Sequence, residues 1–124
     1  MVGEEKAGVD TKSTSAKIMT LRIFVTPQAN IDIDNLFNYI AQNNTDAALK
    51  FFDAARNTIA KLAKNPGLGS LYSINNPRLQ GLRKWGIKGF EKYLIFYLES
   101  EELLTVIRII YASQDIPTIL EEEF

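Results

Sequence analysis

The chain has 124 residues, 46% of them hydrophobic and 23% charged, with a net charge of −1; this describes one globular domain and excludes a general electrostatic pull on nucleic acid. It contains no Cys and no His, which excludes disulfides and thiol chemistry and removes the commonest general base and metal ligand together, so no cofactor and no metal site is expected. No apolar run approaches the ~20 residues that span a bilayer, and the start lacks the apolar core of a signal peptide; the expected location is the cytoplasm, with no membrane contact.

Residues 1–17 are mostly Gly, Glu, Lys, Ser and Thr, too polar to offset the entropy of ordering. They are expected to form a flexible N-terminal arm, with the folded domain covering residues 18–124. Met19 to Thr26 alternates as a first strand. Thr26-Pro27 then starts a helix, because the Thr hydroxyl can accept a free backbone N–H and Pro has none to lose. Ile33, Leu36, Phe37 and Ile40 form its core stripe to about Gln42, with Asp32 and Asp34 off the stripe. Thr45 is expected to cap a second helix, in which Ala48, Phe51 or Phe52, Ala55, Ile59 and Leu62 share one side. Lys61 and Lys64 sit near its negative end, and Asn65-Pro66-Gly67 stops it. The short link demands an antiparallel helical hairpin. Residues 68–78, with two Gly, Pro77 and Asn75-Asn76, read as a loop.

Three strands follow, at about 79–87, 92–99 and 103–111. Leu94 to Leu98 is unbroken apolar or aromatic, and Val106, Ile107, Ile109 and Ile110 are β-branched. Glu99-Ser100-Glu101-Glu102 is too short for a crossover helix, so the last two strands form an antiparallel hairpin. Both are apolar on nearly every residue. On the last strand Leu104, Val106 and Ile110 would face one way, and Leu103, Ile107 and Ile109 the other, so each face needs a cover. The helical hairpin covers one; the other calls for a C-terminal segment, a partner, or both. Residues 116–124 form one helical turn or lie extended. The order strand-helix-helix-strand-strand-strand is α+β, an antiparallel sheet with the helical hairpin on one face. The first strand joins the edge of the meander or pairs with the last strand.

These features in order resemble the ParE/RelE toxin superfamily of bacterial toxin–antitoxin modules, over about residues 20–120. Thr26-Pro27-Gln28-Ala29 opens a helix carrying Leu36, Tyr39 and Ile40. Ala47-Ala48 and Phe51-Phe52 lie in a second helix that ends in Leu62-Ala63-Lys64-Asn65-Pro66-Gly67-Leu68-Gly69. Leu82-Arg83 leads to Tyr93-Leu94-Ile95-Phe96-Tyr97, and Val106 to Tyr111 precedes Asp115-Ile116. The ordered set is similar to the ParE-like branch, the plasmid stabilisation toxins. That resemblance implies a growth-arresting protein that binds DNA gyrase and is neutralised by a cognate antitoxin, as a homodimer or a heterotetramer with it. The alternatives are a RelE-like, metal-independent, ribosome-dependent mRNA endonuclease, or a degenerate toxin that only binds the antitoxin. In the RNA-cleaving branch the resemblance implies basic and catalytic residues near the hairpin and the C-terminus. Here Tyr93 and Ser113 or Gln114 stand at two of those positions, and the C-terminal stretch offers Ile119, Leu120 and glutamates. Such a nuclease needs a base for the 2′-hydroxyl and cations for the phosphorane; Arg83, Arg108 and Tyr111 are the catalytic candidates, without a poised base. A gyrase-binding protein needs a surface, not a catalytic constellation.

Arg83, Lys84, Trp85, Lys88 and Lys92, with Phe90, make a basic–aromatic cluster that is the candidate surface for target or partner. The competing reading is of solvated strand-edge lysines that deter sheet aggregation. Arg108, in a central strand, requires an ion-pair partner, expected to be Asp53 or a nearby glutamate. Asp115 is expected to cap the terminal turn. Asp32, Asp34, Glu121, Glu122 and Glu123 are spread between a helix face and a tail and are not read as metal ligands.

Overall fold

The computed structural model describes residues 20–123, so the expected arm at 1–17 lies outside the described residues. The elements run β1 (Arg22–Val25), α1 (Pro27–Ala41), α2 (Thr45–Lys64), β2 (Ser70–Leu71), β3 (Arg83–Ile87), β4 (Phe90–Glu99), β5 (Leu103–Tyr111) and α3 (Ile116–Glu123). Short 3-10 turns at Pro66–Leu68 and Pro77–Leu79 flank β2. The 68–78 stretch is thus partly structured, and the strand expected from 79 begins at Arg83. No helix among the described residues is long and apolar enough to cross a membrane.

Thr26 caps α1 as expected: its hydroxyl accepts the Ala29 N–H at 3.1 Å, with Pro27 at the first position. The cap of α2 is Asn44, not Thr45. The Asn44 side-chain oxygen accepts the Ala47 N–H at 3.0 Å, and Asn at this position is at least as good a cap as Thr. Of the two candidate phenylalanines, Phe51 is fully buried and Phe52 remains 38% exposed.

The sheet order is β1-β5-β4-β3-β2. β2, β3, β4 and β5 are antiparallel to their neighbours, but β1 pairs with β5 in parallel, Arg22 beside Leu103 and Val25 beside Val106. The sheet is therefore mixed rather than antiparallel throughout. Alternation of side chains along β1 is the same for either direction, so only the path of the chain decides it.

One core lies between the sheet and the helical hairpin, built on Phe51, Leu62, Ile95, Tyr97, Leu104, Val106 and Ile109. A second lies on the opposite face, where Phe96, Ile107 and Ile110 meet Leu79, Leu82, Ile116 and Leu120. The chain supplies this second cover itself, from α3 and the segment before β3, so the C-terminal helix fills the role expected of a C-terminal segment or a partner. A bulge corrects the expected facing of β5. Tyr97 sits opposite Val106 but Phe96 opposite Arg108, which leaves Ile107 as the extra residue. An extra residue reverses the alternation beyond it, so Ile109 joins the helix-side core and Ile110 the other.

Candidate functional site

The basic–aromatic cluster lies on β3 and its turn into β4, and pleating splits it. Arg83, Trp85 and Ile87 alternate with Lys84 and Gly86. Trp85 packs half-buried against the helix-side core, whereas the Lys84 ammonium lies 5.6 Å from the Tyr72 ring, a residue of the opposite core. Lys88 and Lys92 are exposed. The turn is Lys88-Gly89, and Gly89 has φ 84°, a conformation glycine adopts without penalty. Phe90 meets Phe51 edge-on at 5.5 Å. Trp85, Lys88 and Glu91 form one wall of a cleft of about 640 Å³ whose other wall is α2, at Ala54, Thr58 and Lys61.

Arg83 serves the fold directly. Its Nη1 donates to the Gly69 carbonyl at 2.6 Å, and its Nε lies 3.8 Å from the Glu99 carboxylate. The same loop is held by Tyr97, fully buried, whose hydroxyl donates to the Pro66 carbonyl at 2.6 Å and accepts the Gly69 N–H at 2.9 Å. Gly69 is required by close approach: a Cβ there would lie 2.5 Å from the Tyr97 hydroxyl and 2.8 Å from the Lys84 carbonyl oxygen.

Arg108 pairs with Asp32 rather than with Asp53 or a glutamate. Its Nε and Nη2 donate to the two Asp32 carboxylate oxygens at 2.7 and 2.9 Å, a bidentate fork. Asp32 also accepts the Ile109 N–H at 3.0 Å. The reason lies in the sheet. β1 ends at Val25, while β5 runs on to Tyr111, so part of the β5 edge would be left without a strand partner. The start of α1 takes over: the Thr26 hydroxyl donates to the Ile107 carbonyl at 2.9 Å, and Asp32 receives the next N–H. Tyr111 is half-buried with its ring 5.0 Å from that of Tyr93, and its N–H donates to the Gln114 side-chain oxygen at 3.3 Å. The Asp115 carboxylate accepts the Thr118 hydroxyl at 2.8 Å, at the start of α3.

The three catalytic candidates are not drawn into one constellation. Arg83 sits opposite Tyr97 from β3, Arg108 opposite Phe96 from β5, and Tyr111 opposite Tyr93 near the far end of β5; the two guanidinium groups are turned toward Gly69 and Asp32. Burial raises the pKa of Tyr93, with Tyr111 and Tyr39 adding to it. Burial also raises Tyr97, against the opposing pull of the Gly69 N–H and Arg83. Phenols held protonated in this way are poor general bases at neutral pH. Among the described residues no group of three or more acidic side chains is placed to hold a metal ion. What the surface does offer is apolar contact area. Tyr39, Leu49 and Phe52 on the helical hairpin are 64%, 52% and 38% exposed, and Phe37 meets Phe52 edge-on at 6.4 Å.

Two residues that organise this region escape a reading by periodicity. Asp32 looks like a solvated acid, yet it lies three residues after Ala29 and four before Leu36, one helix face, and it is 9% exposed. Tyr97 looks like one apolar residue in a run; the signal that it is more is the Pro66-Gly67-Leu68-Gly69 loop, whose backbone groups need partners.

The fold is similar to a solved structure described as the chromosomal ParDE toxin–antitoxin system from P. aeruginosa, with a TM-score of 0.61 and 16% identity, covering 76% of this chain and 98% of that one. No curated protein matches the sequence. The sequence model of the ParE toxin of the type II toxin–antitoxin system parDE matches residues 23–116, the span that holds the helical hairpin, the clasped loop and all of the sheet but Arg22, and the chain accordingly belongs to that ParE toxin family.

Proposed function

We propose that this protein acts as the toxin of a type II module by binding DNA gyrase, and that a cognate antitoxin neutralises it. The observation that carries the reading is the commitment of the charged candidates to the fold. Arg83 holds Gly69 and Arg108 is locked to Asp32, so both serve packing. A protein that acts by occupying a target needs exposed contact area, and Tyr39, Leu49 and Phe52 offer it. Membership of the ParE family and likeness to a ParDE structure support the pairing with an antitoxin. The test is purified protein added to a gyrase supercoiling reaction and, in parallel, to a translation extract. Supercoiling should be blocked, messages should stay whole, and adding the protein encoded by the adjoining reading frame should restore supercoiling. Cleaved messages with supercoiling intact would replace this reading with ribosome-dependent endonuclease activity; antitoxin binding with neither effect would leave an interaction module alone.

A further inference from the structure

We propose that the cleft between α2 and the β3–β4 turn is where an acidic segment of the antitoxin docks, with an apolar side chain against Trp85 and carboxylates at Lys61 and Lys88. The inference rests on the toxin–antitoxin reading and adds the place of engagement and the chemistry of the segment.

The cleft has the size for one. About 640 Å³ of open cleft is enough for a large apolar side chain and its flanking backbone. Its apolar surface comes from Ala54, half-buried Trp85 and the aliphatic stems of two lysines. Partly buried tryptophans in such a setting are common anchors at interfaces. The rim sets the sign of the charge. Lys61 and Lys88 are exposed, and neither makes an ion pair with a described residue. The one acid on the rim, Glu91, turns a carboxylate oxygen to its own turn and accepts the Gly89 N–H at 2.8 Å. Glu91 keeps its negative charge, so the two lysines leave the rim with one net positive charge among its described residues.

Thr58 adds a polar contact inside. It is 4% exposed, its Oγ accepts the Lys88 N–H at 3.2 Å, and its hydroxyl proton has no acceptor among the described residues. That hydroxyl lines the open cleft, where a carbonyl or carboxylate oxygen of a bound segment can accept its proton. A nucleic acid fits less well: the cleft is apolar between its lysines and presents no arginine to fork a phosphate.

The only tryptophan of the chain stands in the cleft wall, so fluorotryptophan incorporated into the full chain reports occupancy by fluorine NMR. Titration with the antitoxin from the adjoining reading frame should shift the Trp85 resonance. Calorimetry should show that Lys61→Glu with Lys88→Glu weakens binding about tenfold or more, by loss of two attractions and gain of two repulsions. Ala54→Leu, which fills the cleft, should weaken it too. The control pair Arg22→Glu with Arg78→Glu removes the same charge away from the cleft, on β1 across the sheet and in the turn before β3, and should change affinity less than about twofold; thermal melts verify that each variant folds. Binding by the charge-reversed protein as tight as wild type, or a Trp85 resonance that does not move, would overturn the docking site while leaving the toxin–antitoxin reading intact. No complex with the wild-type chain would overturn that reading and this one with it. A Trp85 shift produced by self-association alone would assign the cleft to a second copy and overturn the proposal.

Discussion

Replacing Tyr97 by Phe removes one oxygen atom and tests how the loop after α2 is held. The ring stays, so packing among Phe51, Ile95 and Leu62 is undisturbed. The Gly69 N–H is buried and loses its acceptor, a desolvated orphan worth about 1–3 kcal/mol. The Pro66 carbonyl is only partly buried and can turn to water, so it contributes a fraction of that. We expect a loss of about 2–3 kcal/mol, which for a domain of this size lowers the melting temperature by roughly 6–12 °C. In urea the midpoint should fall with an unchanged slope. A second substitution probes the same contact from the other side. Gly69→Ala places a Cβ 2.5 Å from the Tyr97 hydroxyl, and deleting that hydroxyl relieves part of the clash. In the Tyr97→Phe background Gly69→Ala should therefore cost less than it does alone, by about 1 kcal/mol or more. A Tyr97→Phe protein within about 0.5 kcal/mol of wild type, or strictly additive substitutions, would refute the account of Tyr97 as the clasp of this loop.

The raised phenols make stability sensitive to alkali: Tyr97 and Tyr93 hold their protons more tightly folded than unfolded, so their contribution is complete below about pH 10 and drains away as pH climbs through the folded values. The urea midpoint should be flat from about pH 7 to 9 and fall above about 10, less steeply in Tyr97→Phe; equal slopes would count against it. Arg108→Ala leaves Asp32 charged and deprived of its fork inside the fold, and should cost about 3–5 kcal/mol, whereas Arg108→Met with Asp32→Leu should recover much of it, as read by denaturation. Leu120→Ala opens a void where α3 seals the second sheet face and should cost about 2–5 kcal/mol, with dye binding to exposed apolar surface and faster proteolysis of the C-terminal end as companions. Unchanged dye binding would show that α3 is not the seal.

Much of the architecture is legible from neighbours along the chain. Thr26-Pro27 specifies a helix start because hydroxyl, ring and free N–H groups lie within four residues of each other. The spacing of Ala48, Phe51, Ala55, Ile59 and Leu62 specifies the buried side of α2, and the apolar runs from Leu94 and Leu103 specify a hairpin that needs cover on both faces. Choices that depend on backbone arriving from far away are not written in any spacing. The parallel pairing of β1 with β5, the bulge at Ile107 that trades the places of Ile109 and Ile110, the fork of Arg108 on Asp32 across 76 residues, and the Tyr97 clasp on Gly69 across 28 were decided only in the assembled fold. Periodicity states which side chains must leave water. Which partner each polar group meets is settled by the one packing in which the edge of β5 and the loop after α2 find donors and acceptors of the right kind within reach.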